Sequence, residues 1–340
     1  MKERKKRRSF VDWFLQKPES GVMLILIVFY IVVTCVNPRF LSTKNVINVL
    51  HASGFTLLSV TGMSLILIIG GLDLSIGSVY ALAAVTSSLL MTQTGLPVWI
   101  CIIVGLQLGA LIGTLNGLLI VYIKIPPMIA TLGTQYIARG AVTVLTHGTP
   151  IYPLPDSFVR IEEIRIFGFV PVVVPIAIVV AIVFHFILSK TVFGRSVYAI
   201  GGNGEAARIS GISINKTKMS TYIIMGVLAA TAGILTASRL GSAEPSTGTA
   251  LEMKVICGAV IGGVSVAGGM GTILGAALGA LFMESLTNAL TVMRISVYWQ
   301  NVVFGTVLVL SVMLDEYKRQ MIKKHAMKEM KDEKASAVKE

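Results

Sequence analysis

The chain has 340 residues, of which 54% are hydrophobic and only 14% charged, with 29 Lys and Arg against 17 Asp and Glu. A mean hydropathy of +0.80 excludes a water-soluble globular domain of useful size, and the length accommodates about ten spans of ~20 residues with short connections. The net charge of +12 gathers at the two ends and in one internal segment, a distribution that anionic headgroups and membrane orientation explain without nucleic acid. The expected fold class is therefore an all-α polytopic membrane protein.

Residues 1–8 form a basic arm, followed by Phe10, Trp13, Phe14 and Leu15, a group suited to the headgroup layer. The first apolar run, 21–36, ends in Asn37-Pro38-Arg39. That ending offers no small-residue cleavage site, so the run is read as an uncleaved span and residues 1–20 as a cytoplasmic arm. Further runs cover 50–69, 76–91, 98–121, 128–145 and 170–188, then 219–240, 253–267, 272–292 and 296–314. Together they make about ten transmembrane helices within a domain 21–314. Two of them, 128–145 with its Arg139 and the short glycine-rich 253–267, are also consistent with broken or re-entrant elements. Residues 315–340 form a charged cytoplasmic tail.

Between the second and third runs lies Gly70-Gly71-Leu72-Asp73-Leu74-Ser75-Ile76-Gly77-Ser78. A carboxylate at mid-membrane costs about 2.5–3.5 kcal/mol on insertion scales, so Asp73 must cap a helix, face water or hold a partner. Two readings stand here. Asp73 or Ser75 is the N-cap of the next helix, or Gly70, Gly71, Asp73, Ser75 and Gly77 form a gating element. In the fourth run Gly105, Gly109, Gly113 and Gly117 recur every fourth residue, and Gly271, Gly275 and Gly279 repeat the device in the ninth. This spacing aligns the glycines on one helix face, where backbones approach closely. Spans four and nine are five apart, an offset that reverses direction through the membrane and suggests inverted five-helix repeats. A second echo, residues 69–75 against 261–266, does not fit that offset.

The longest outer connection, 147–169, carries Pro150, Pro153 and Pro155 with Asp156, Glu162 and Glu163. It either covers the outer mouth and meets an extracytoplasmic partner, or is a solvated connector. The segment 193–218 is a polar island between apolar blocks, with Arg195, Arg208, Lys216 and Lys218 against the single acid Glu205. Asn203 suits an N-cap, Glu205 the positive end of the helix dipole, and Gly211 a left-handed stop, which together predict a capped helix of about two turns. A loop that only connects needs no rigid element.

The string Gly194-Arg195-x-x-Tyr198-Ala199-x-Gly201-Gly202-Asn203-x-x-Ala206-Ala207-Arg208-x-Ser210-Gly211-Ile212 resembles the cytoplasmic coupling loop of the membrane permease subunits of bacterial ABC importers for ribose, xylose, arabinose and galactose. The Gly70–Ser78 segment resembles a signature of the same family, and the resemblance spans roughly residues 45–314. It implies that Gly194, Arg195, Asn203, Glu205, Ala206, Ala207, Arg208 and Gly211 couple to a separate cytoplasmic ATPase subunit, which carries ATP and Mg. It further implies a soluble extracytoplasmic substrate-binding protein and a second permease copy or paralogue, in the bacterial cytoplasmic (inner) membrane.

In the ten-span layout, 21 of the Lys and Arg fall on the side of the island and both termini, and seven on the other. The positive-inside rule then sets both termini in the cytoplasm. The chain has no Gly-x-x-x-x-Gly-Lys-[Ser/Thr] to cradle phosphates. Cys35, Cys101 and Cys257 stand isolated in apolar runs as packing residues, and the four histidines are scattered, so no metal site and no catalytic constellation is expected. The resulting reading is a non-enzymatic permease subunit of an ATP-driven importer for a monosaccharide or similar small polar molecule. The alternative is a proton- or ion-coupled secondary transporter, against which the few embedded acids weigh. Substrate-path candidates are Asn116, Gln135, Asn288, Trp299, Gln300 and Asn301, each more readily read as a helix–helix bond or interfacial anchor. Arg39, Arg160, Arg165, Arg239 and Arg294 on the outer side can pair with acids of the binding protein.

Overall fold

The computed structural model describes residues 18–296, 298–313 and 316–317. The arm over 1–17 and the tail over 318–340 lie outside the described residues. The helices are α1 (Pro18–Val36), α2 (Thr43–Ile68), α3 (Ile76–Gln93), α4 (Val98–Val121), α5 (Pro127–Thr146), α6 (Asp156–Glu163), α7 (Val173–Lys190), α8 (Val192–Gly202), α9 (Gly204–Ile209), α10 (Ile214–Leu240), α11 (Leu251–Ile261) and α12 (Ile273–Val292). The last is α13 (Tyr298–Met313). A 3-10 turn, Pro38–Leu41, follows α1.

Each of the ten apolar runs holds a helix, but seven helices among the described residues are long and apolar enough to cross a membrane: α1 to α4, α7, α10 and α12. The exceptions have separate causes. α5 is long enough but carries Thr131, Thr134, Gln135 and Arg139. α11 has 11 residues, about 16 Å, which is half the ~30 Å hydrocarbon core. The 253–267 run is thus a half-helix followed by a turn, as its glycines allowed. α13 is likewise a shorter apolar helix.

Burial sorts the bundle into centre and periphery. The apolar window of α2 is 83% buried and that of α3 72%, against 22% for α1, α4 and α7. The glycine row of α4 faces α10: a methyl on Gly109 would stand 2.6 Å from the Ala230 Cβ, and Gly113 lies on the Tyr222 backbone. Such near-contact of backbones is what the every-fourth spacing supplies. On α12, Gly275 and Gly279 meet Gly262 and Gly258 at the end of α11. Gly271 departs from expectation. It precedes α12 in the turn, with φ +142°, so it is no part of a helix row.

The unexplained echo is one stop signal used twice. After α2, Gly70 and Gly71 N–H bond the Leu67 and Ile66 carbonyls at 2.9 and 2.8 Å. After α11, Gly263 and Val264 N–H bond Val260 and Ala259 at 2.9 and 3.0 Å. Both are helix terminations closed by a left-handed residue, Gly70 at φ +77° and Gly263 at φ +87°.

The connection 147–169 is structured. It holds α6 and begins a hairpin of β1 (Arg165–Ile166) with β2 (Val170–Pro171), paired Arg165 with Pro171 and Ile166 with Val170. Two-residue strands leave no alternation in the sequence, and the turn puts Phe167 and Gly168 at positive φ. α6 is held down by a buried His51–Glu162 pair at 2.8 Å and by the Ser238 hydroxyl donating to the Phe158 carbonyl at 2.7 Å. An Ile151–Ala243 bridge joins the same end of the bundle.

Candidate functional site

The island is two helices rather than one. Thr191 starts α8 by accepting from Gly194 N–H at 3.2 Å. Asn203 ends α8, with its N–H on the Ala199 carbonyl at 3.0 Å, and caps α9 by accepting from Ala206 N–H at 3.0 Å. Gly211, at φ +79°, closes α9, and Ile212 N–H bonds the Ala207 carbonyl at 3.0 Å. Only Ala207 of α9 is buried; Glu205, Ala206, Arg208 and Ile209 all face outward. Glu205 and Arg208 bond each other at 2.5 Å while both stay about two-thirds exposed. An exposed pair of this kind stabilises little, so both side chains are free to exchange partners. Ile209 is 77% exposed and was missed from the sequence. Its signal is an isoleucine out of phase with the buried Ala207 and the half-buried Ile212 that follows the helix.

The island is seated on the bundle by backbone contact. The Ile68 carbonyl, the last of α2, accepts from Gly269 N–H at 2.8 Å, and Gly201 of α8 lies directly against that same oxygen. Tyr198 OH donates to the Gly271 carbonyl at 2.6 Å. Three glycine stretches, 70–71, 201–202 and 268–269, therefore converge where α2, α8 and the α11–α12 turn meet. A displacement of α8 is passed on here by atoms already in contact.

From this junction residues 69–75 run as non-helical chain to the start of α3. Asp73 is 2% exposed, and its Oδ1 accepts from Ser75 N–H at 2.8 Å and from the Ser75 hydroxyl at 2.6 Å. Ser75 stands at the N-cap position of α3 without a side-chain capping bond. Its Oγ accepts from Asn116 Nδ2 at 2.9 Å, and Asn116 Oδ1 accepts from Thr134 at 2.7 Å. Thr131 takes Leu74 N–H at 3.1 Å, and Tyr222 OH donates to the Leu72 carbonyl at 3.3 Å. Ser75, Leu74 and Leu72 thus pin the segment to α4, α5 and α10, with Asp73 bonded to Ser75 within it. Asn116 is a fully buried link between helices in this chain.

A second non-helical stretch, 241–250, joins α10 to α11. Its Gly248 meets Gly77 backbone to backbone, so the first turns of α3 and α11 abut. Arg139 of α5 holds the crossing, donating to the Pro245, Thr247 and Gly77 carbonyls at 2.7, 2.9 and 3.1 Å. Gln135 Nε2 reaches Glu252 Oε1 at 3.5 Å. Nearby on α11, Lys254 pairs with Glu284 of α12 at 2.7 Å, and Thr56 donates to the same carboxylate. Gln135 is the sequence candidate that the structure joins to a charged cluster. Asn288 instead exchanges bonds with Asn45 at 2.7 and 3.0 Å, as a helix–helix tie. Trp299 and Asn301 are exposed on α13 and Gln300 half-buried, and none joins these networks. Among the described residues no cluster of His, Cys, Asp and Glu has metal-binding geometry.

Residues 45–312 match the family described as branched-chain amino acid transport system / permease component. The chain is 37% identical over 309 residues to the ribose import permease protein RbsC of Haemophilus influenzae, covering 89% of this chain and 94% of the relative. It is 35% identical to the autoinducer 2 import system permease protein LsrC of Enterobacter sp., over 92% and 90% of the two chains. It is 33% identical to the L-arabinose ABC transporter permease protein AraH of Azospirillum brasilense, over 91% and 90%. No solved structure matches the chain significantly.

Proposed function

The chain belongs to this permease-component family and is a multi-pass inner-membrane translocation subunit of an ABC importer, and on that premise we propose that it carries a monosaccharide or similar small hydroxylated molecule inward. Two copies, or one copy and a paralogue, form the path between them. ATP and Mg are bound by a separate cytoplasmic ATPase that seats on α8–α9, and an extracytoplasmic binding protein delivers cargo to the face formed by α6 and its neighbours. The island and both termini lie in the cytoplasm, consistent with the Lys and Arg asymmetry. The ten helices fall into two inverted sets of five. Supporting this, α2 and α10 are the two longest helices at 26 and 27 residues. Each is followed by non-helical chain leading to a helix whose first turn meets the other's. Supporting a second copy, α5 leaves Gly133 and Gly140 with open space over the α-carbon beside exposed Tyr136 and Ile137, a surface on which another helix packs closely.

The observation that carries the coupling is the seating of α8 on Ile68, Gly269 and Gly271 beneath an outward-facing Glu205–Arg208–Ile209 knob. Closure of the ATPase pushes α9, α8 transmits the push to the end of α2 and the α11–α12 turn, and the adjoining helices tilt. The test is reconstitution. With ATPase and binding protein the chain accumulates cargo in an ATP-dependent manner, and alone it moves nothing uphill. Accumulation by the lone chain would overturn the proposal.

A further inference from the structure

Residues 244–250 are non-helical backbone that leads from the α6 end of the bundle, where Ala243 bridges Ile151, to the first turn of α3. Gly248 lies on Gly77, which is sixteen residues before the end of α3, about 24 Å along the helix axis. Backbone of this kind survives at membrane depth only where protein buries it or water reaches it. Yet Glu244, Ser246 and Thr249 are exposed in this chain, and Gln135 and Arg139 beside them on α5 are half-buried. Lipid at these groups is disfavoured on cost, since hydrocarbon offers them no partner beyond the bonds they make within the chain, such as Thr249 to the Ser246 carbonyl at 2.6 Å. We propose that the crossing of the α3 and α11 first turns is the wet wall of the translocation path, and that Gln135, Ser246 and Thr249 touch the cargo as it passes, with the buried Glu252 carboxylate behind Gln135. The inference rests on the permease reading.

The chemistry of the wall specifies its ligand. The Arg139 guanidinium is occupied by three carbonyls and faces one carboxylate, Glu252, while Glu244 is exposed in the same stretch, so the patch offers no free cation to an anionic ligand. The groups that remain are a carboxamide that donates and accepts, and two hydroxyls. That set fits an uncharged molecule with several hydroxyls, whose O–H groups donate to the Gln135 amide oxygen and accept from its N–H. Arg139 is a positioning residue here, since its contacts are to the backbone that presents Ser246 and Thr249.

Water accessibility tests this without ATP or any partner subunit, so its failure is separable from failure of the importer reading. In the full chain with Cys35, Cys101 and Cys257 replaced by serine or alanine, single cysteines are placed by Gln135→Cys, Ser246→Cys and Thr249→Cys. Val179→Cys, 58% exposed on the peripheral α7, serves as the lipid-facing reference. Membrane vesicles are treated with a sulfonated methanethiosulfonate reagent. Expected is modification about tenfold or more faster at the three wall positions than at Val179→Cys, slowed by saturating D-ribose and unaffected by sodium glutamate. Unreactive wall cysteines, at all three positions, would mean that a second copy or lipid covers the crossing and would overturn the proposal. Reactive cysteines indifferent to D-ribose, D-galactose and glycerol alike would overturn the cargo contact.

Discussion

Gly201 is the position where a single methyl should disconnect the island from the bundle. An added Cβ would stand 2.6 Å from Gly269 N and closer still to the Ile68 carbonyl oxygen, where ordinary contact begins near 3.4 Å. Both of those atoms are backbone, and they are bonded to each other at 2.8 Å. No rotamer change relieves the clash, so α8 must lift by well over an ångström or the Gly269–Ile68 bond must break. Overpacking of this order costs about 1–3 kcal/mol and the hydrogen bond about 1 kcal/mol more. If the seated state is the one that transmits ATPase closure, a loss of about 2–4 kcal/mol lowers uptake roughly 30- to 900-fold. The assay is ATP-driven uptake in proteoliposomes containing the ATPase and binding protein, with ATPase activity followed in parallel. Gly201→Ala should keep the assembled complex and its ATP hydrolysis while uptake collapses. Gly202→Ala, with open space over its α-carbon, should transport as the unaltered protein does. Normal uptake by Gly201→Ala, or equal damage from Gly202→Ala, would refute the reasoning.

Three further outcomes follow from the same structure. Ala207→Pro removes the Ala207 N–H bond to the Asn203 carbonyl at about 3 kcal/mol, so the ATPase should no longer co-purify while membrane expression persists; ATP-driven uptake at the unaltered rate would show that α9 is not the lever. Asp73→Ala strips two hydrogen bonds from Ser75 in a buried site and should cost about 1–3 kcal/mol, read as a lower melting temperature in detergent, whereas Asp73→Asn, which still accepts from Ser75 N–H, should fall between the two; equal melting of all three would remove Asp73 from the network. Glu284→Gln leaves Lys254 buried without its carboxylate and should destabilise by about 3–5 kcal/mol, with the double change Lys254→Met and Glu284→Leu recovering most of the loss. A double variant no better than the single would mean that the pair does not act as a unit.

Sequence patterning determined what periodicity and punctuation encode. Unbroken apolar runs placed the helices, every-fourth glycines marked the α4–α10 seam, and Asn203 with Gly211 delimited α9. These are local signals, each set by neighbours within one or two helical turns. The same locality explains what stayed open. α11 reads as a span or as a re-entrant element because Met253 to Ala267 is apolar but glycine-rich, and only chain packing shows that the helix stops at Ile261 and turns back. Asn116 reads as a path residue or a helix–helix bond because polarity in a span has two meanings, and only chain packing shows its bonds to Ser75 and Thr134. The convergence of Gly70, Gly201 and Gly268, and the grip of Arg139 on two carbonyls more than a hundred residues ahead of it and on that of Gly77 behind it, had no linear trace at all. Hydrophobic burial is non-directional and fixes which segments enter the membrane, whereas backbone approach and hydrogen bonding demand particular atoms at particular distances. Composition and spacing sufficed for the first; the second was decided by tertiary structure alone.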